Sequence, residues 1–120
     1  MAAKITQTQV AVILEAMQDP HWRLDRGFVV CDIGNEWMIY TDWRFVGRCI
    51  EFMETARKEL GIHSAWYATG VVEAECPVSG LHVFNEGDGE TRFNFVTAAA
   101  EIALDVLEIR KLSKRPIEEK

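Results

Sequence analysis

The chain has 120 residues, 48% of them hydrophobic, and a formal charge of −6 at pH 7. That length makes one domain with room for a real core. The acidic balance argues against nucleic acid, whose phosphates are met by clustered lysine and arginine. No apolar run approaches the roughly 20 residues that cross a bilayer.

Cys31, Cys49 and Cys76 are odd in number and widely spaced, so no disulfide framework is expected. The opening MAAKITQTQV lacks the apolar stretch of a secretory signal. The expected setting is a reducing cytoplasm.

The first element is a helix over residues 6–18. Thr6 and Gln9 stand at capping-box spacing, and Val10, Ile13, Leu14 and Met17 recur at the helical interval. Asp19-Pro20 stops it, because the residue before proline is driven out of the helical region. His21 to Gly27 then reads as a polar connector. Phe28 to Cys31 and Trp37 to Tyr40 read as strands joined through a Gly34-Asn35 turn, hence an antiparallel hairpin.

The most strongly patterned helix follows. Thr41 and Asp42 compete as its N-cap, and Asp42 also complements the positive end of the helix dipole. Val46, Cys49, Ile50, Met53, Ala56 and Leu60 form a stripe that Phe45 and Phe52 widen, a pattern suited to packing on a broad surface. Gly61 accepts the left-handed conformation that ends a helix. Ile62 to Ala74 reads as one long interior strand, broken by Cys76 to Gly80, and Leu81 to Phe84 as another strand.

After an acidic glycine-rich loop (Asn85 to Glu90) comes the last helix. Asn94 is the first candidate for its cap and Thr91 the second. Phe95, Ala99, Ile102, Val106 and Ile109 mark a single apolar face, and the helix ends near Lys111. The order α-β-β-α-β-β-α implies an α+β fold, a mostly antiparallel sheet packed with helices in a sandwich. It forms one domain over residues 1–112, with residues 113–120 a short charged tail.

No catalytic motif is visible. His21, His63 and His82 could be combined with Glu75 or Cys76 as metal ligands, but the close ligand pairs that mark zinc sites are missing. The expectation is therefore no metal and no cofactor. A nucleophilic pairing of Cys76 with His63 or His82 is disfavoured by the glutamates beside the thiol, which oppose a thiolate.

The more informative feature is acidity. Glu73, Glu75, Glu86, Asp88 and Glu90 fall in a stretch without lysine or arginine. If they share one sheet edge, they form a negative patch that would steer a basic partner. Trp43, in the first turn of the second helix, and Tyr67 are the aromatic residues expected to be exposed as interface anchors.

Tyr40-Thr41-Asp42-Trp43 opening a helix, Trp66-Tyr67-Ala68 on a strand, a polar glycine-rich loop and the Ala-rich run Asn94 to Ala100 together resemble the NinX-like, ABA-sandwich group of small bacteriophage proteins. The likeness follows the element order over roughly residues 1–110. It departs where Phe95 replaces the usual proline and Ala100 the usual methionine.

The resemblance implies a phage or prophage accessory protein in the bacterial cytoplasm, and it supplies no catalytic residues. The leading expectation is a non-enzymatic protein that binds a host or phage protein, in its sharper form an inhibitor of a host defence complex acting through the acidic edge. The alternatives are a small ligand-binding or enzymatic domain with a pocket around Tyr40, Asp42 and Trp66, and a homodimer formed through the C-terminal helix at Ala98, Leu104 or Leu112.

Overall fold

The computed structural model describes residues 5–66, 72–76, 80, 82–85 and 91–113. Within them run α1 (Gln7–Met17), β1 (Trp22–Asp25), β2 (Phe28–Cys31), β3 (Glu36–Met38), α2 (Trp43–Leu60), β4 (His63–Trp66), β5 (Val72–Glu75), β6 (His82–Asn85) and α3 (Thr91–Ser113). The fold is α+β. Its strands form two separate antiparallel sheets of three, β1-β2-β3 and β4-β5-β6, in place of the single sheet expected. Each sheet is a meander followed by a helix, an arrangement that occurs twice without a repeat in the letters.

Local chemistry sets the helix ends. The Gln9 backbone N–H donates to Thr6 Oγ1 at 3.2 Å, and the Thr6 N–H donates to Gln9 Oε1 at 2.9 Å. This capping box satisfies two N–H groups that a helix start leaves free. α1 ends at Gln18, which takes a left-handed φ of 57°. No basic residue lies in its last turn, so the cation favoured at that pole comes from elsewhere. Arg110 of α3 donates to the Ala16 carbonyl at 2.6 Å.

The connector expected at His21 to Gly27 holds β1. Asp25 pairs with Phe28 across a two-residue loop, in which Arg26 and Gly27 both have positive φ. That is the hairpin geometry matched to strand twist. Trp22 turns inward to meet Phe45 of α2, with ring centroids 6.5 Å apart. Arg48 lies over the Trp22 ring at 5.8 Å and reaches Asp19 at 3.0 Å. One guanidinium thus ties α2 to the α1–β1 connection.

α2 starts at its Asp42 cap and ends at Gly61, where φ is 72°. Phe45, Val46, Cys49, Phe52, Met53 and Ala56 are buried along it, the stripe expected from spacing. The long strand expected from Ile62 to Ala74 is two strands. Trp66 pairs with Val72, and Ser64 with Ala74, so the chain reverses between them.

The last helix differs most from expectation. It begins at Thr91, which leaves Asn94 buried inside the helix rather than capping it. Nor is it one-sided. Phe95, Val96, Ala98, Ala99, Ala100, Ile102, Ala103 and Val106 are all buried. Three successive buried alanines sweep about 200° of the helix circumference, so α3 is covered on several sides. It packs against α1, α2, β5 and β6. The buried residues of all three helices and both sheets join in one core cluster.

Two predictions follow from this packing. Ala99 is fully buried, and a leucine there would push the surrounding elements apart, so Ala99→Leu should lower the unfolding free energy by about 1–3 kcal/mol. Asp105 is buried on the same helix, and among the described residues its Oδ2 has no hydrogen-bond partner. Asp105→Ala should raise stability by about 1 kcal/mol, since an unpaired buried oxygen is removed and a better helix former introduced. Urea unfolding of both variants checks the two signs together.

Candidate binding surfaces

The acidic residues meet the structure at β5. Val72, Ala74 and Cys76 are buried, whereas Glu73 and Glu75 between them are exposed. Directly opposite residues in a sheet share a face. His63 pairs with Glu75, which pairs with His82, and Ala65 pairs with Glu73. The solvent face therefore carries His63, Ala65, Glu73, Glu75 and His82 around a shallow hollow of about 280 Å³.

Because β5 is the middle strand, the two glutamates stand on a sheet face and not on the edge expected. Glu86, Asp88, Glu90 and Tyr67 lie outside the described residues. Glu54 and Arg57 of α2, one residue of each sign, line an adjoining hollow with His63 and Ala65.

The same alternation separates Cys76 from the histidines. Cys76 points into the core, while His63 and His82 are exposed on the opposite face, so the nucleophilic pair does not form. His21 is engaged elsewhere, its Nδ1 lying 2.9 Å from Asp32 Oδ1. Among the described residues, no three His, Cys, Asp or Glu side chains are gathered where they could hold one metal ion.

A second surface went unnoticed in the sequence. In β2 and β3, Val29, Cys31 and Met38 are buried in the core. Val30 pairs with Trp37 and so faces the other way, together with Phe28. Phe28 and Trp37 remain exposed and meet edge to face, with centroids 6.1 Å apart and planes at 70°. Val30 is fully buried yet stands apart from the main core, in register with Trp37 and two residues along the strand from Phe28. Ile39, next in the alternation, is also exposed. Arg23, opposite Val30, and Asp25, opposite Phe28, complete this face. Trp43 is exposed on α2, as the sequence suggested.

Tyr40 is half-buried against the core, and Trp66 closes β4 with its side chain outside the described set. Asp42 is not a desolvated carboxylate in a pocket. It accepts from Arg44 Nε at 2.9 Å, from Arg44 Nη2 at 2.8 Å and from the Arg44 backbone N–H at 2.9 Å. The Arg44 side chain is the main cause that holds its carboxyl down at about 2, with the backbone N–H adding to it. Asp42 therefore serves as a helix cap and ion-pair member, not as a general base.

Burial pushes the Cys49 thiol far up, which removes it as a nucleophile. A cavity of about 250 Å³ at the end of α1 includes Arg48 and Arg110, but both are already bonded, to carboxylates and to the Ala16 carbonyl. On α3, Ala98 is buried, while Leu104 and Leu112 are exposed beside the equally exposed Glu101 and Glu108.

Fold and surface together define an α+β domain with two open sheet faces, one acidic and histidine-bearing, the other aromatic. No family model, curated protein or solved structure matches the chain. Among the described residues no helix is long and apolar enough to cross a membrane.

The Asp42 cap has a defined pH signature. A carboxyl whose pKa is lowered in the fold stabilises it above the unfolded value and loses that contribution as pH falls through the folded value. The contribution should be complete above about pH 4 and decline toward pH 2. Asp42→Asn keeps a cap but removes the charge. It should be less stable than the parent at pH 5, with the gap narrowing by pH 2, as thermal unfolding at stepped pH would report.

Proposed function

We infer that this chain is a non-enzymatic binding module that recognises a protein partner through a basic surface. The observation that carries this reading is the alternation in β5, which leaves Glu73 and Glu75 exposed on the middle strand of an open sheet. Charges on a face can be met from directly above by a partner's lysines and arginines, and such contacts accelerate encounter and select against acidic proteins. Glu86, Asp88 and Glu90 follow β6 in the sequence.

The biological setting comes from the resemblance to the NinX-like phage group. On that basis the protein acts in the cytoplasm of a bacterial host as a phage or prophage accessory protein. Its sharpest form is an inhibitor of a host defence complex, occupying a surface that would otherwise bind nucleic acid.

The test is a pull-down from bacterial lysate at low and high salt, comparing the parent with Glu73→Lys/Glu75→Lys. A specific partner should be captured at low salt, weakened at high salt as screening shortens the reach of the charges, and lost on charge reversal. Capture that is indifferent both to salt and to the reversal would sink the reading.

A further inference from the structure

We propose that the face formed by Phe28, Trp37 and Ile39 is the interface for a second copy of this chain. It lies on the first sheet, whereas the acidic face lies on the second, and it goes beyond the partner-binding reading. Three observations carry it.

The first is apolar area. Phe28 and Trp37 are each 42% exposed and Ile39 57%. With aromatic side chains of roughly 150–250 Å² apiece, the three leave on the order of 250 Å² of contiguous-strand apolar surface. An interface core of that size belongs to a small dimer, below the standard class of about 800 Å² per partner. Edge-to-face packing of Phe28 on Trp37 holds the two rings in place before any partner arrives, which reduces the ordering cost of association.

The second is self-complementarity. A two-fold interface presents the same patch twice, so each charged group must find its opposite on that patch. Arg23 and Asp25 occupy the same face beside the apolar centre, and their side chains lie 3.8 Å apart. In a two-fold pair, Arg23 of one copy can meet Asp25 of the other.

The third is where the negative charge sits. Residues 21–44, which contain this sheet and its turns, hold three arginines (23, 26, 44) and four carboxylates (25, 32, 36, 42), a net of −1 out of −6. The repulsive excess lies in the rest of the chain. The competing self-contact through α3 would set Leu104 and Leu112 amid the exposed Glu101, Glu108 and Lys111, outside that nearly neutral segment.

Sedimentation velocity of the full chain tests the proposal at about 10 and 200 µM. The mass should move from 13.7 kDa toward twice that value. Trp37→Arg and Ile39→Arg should each shift the midpoint concentration at least tenfold upward, while Glu73→Lys/Glu75→Lys leaves the dimer intact. Salt screens both the Arg23–Asp25 contacts and the net repulsion between copies, so self-association should change little with salt, unlike capture of a basic partner.

Circular dichroism identifies any variant that fails to fold. Ile39→Arg lies outside the strand and keeps the test decisive if Trp37→Arg does not fold. A chain that stays monomeric at both concentrations overturns the proposal. So does a dimer that survives both arginine variants, or one abolished by Leu104→Arg.

Discussion

The structure depends on burying α3 from several directions at once. A helix placed in that position must be apolar around most of its circumference and narrow enough for neighbours to approach. Ala98, Ala99, Ala100 and Ala103 provide the narrow sides, and Phe95, Ile102 and Val106 fill the wider gaps. Close packing leaves little tolerance for a change of volume there. Both other helices and the second sheet pack against this one element, so the two open sheet faces are placed relative to each other through the helices and not through pairing between the sheets.

Much of this was legible because its causes are local. The Thr6–Gln9 capping box, the Asp42 cap and the Gly61 terminator act over a few residues, and they bounded α1 and α2 closely. β2 was readable from four apolar residues ahead of a turn. What was missed had causes beyond the local pattern. β1 was hidden because Arg26, an ordinary side chain, accepts a positive φ in its hairpin, a role usually read from asparagine or aspartate.

The reversal between β4 and β5 was invisible for a geometric reason. Trp66 pairs with Val72, an even separation, so the in-and-out alternation runs through the turn without a change of phase. A period-2 pattern therefore cannot distinguish one strand from two. α3 misled in another way: its period is that of a one-sided helix, and the residues between, mostly alanine, do not show in the sequence that they are covered too. The exposed rings of Phe28 and Trp37 fall under the same limit. An apolar residue in a strand looks alike whether its face is covered or open, and only the tertiary arrangement decides. The two glutamates of β5 were found by composition, but their place on a face and not an edge required the strand order.

The contact between Arg110 and the Ala16 carbonyl has a consequence for how the molecule comes into being. Partners 94 positions apart cannot meet while the ribosome still holds the segment between them. α1 is made well before α3, against which it packs. Until α3 emerges, Val10 and Ile13 lack the neighbour that helps cover them, and the early hairpins have no completed core to settle on. Topology of this kind delays folding, because distant segments must be brought together before contact energy is gained. While the elements between them are being made the nascent chain is therefore an incomplete fold, exposed to chaperones and proteases, and becomes resistant only once α3 closes over α1.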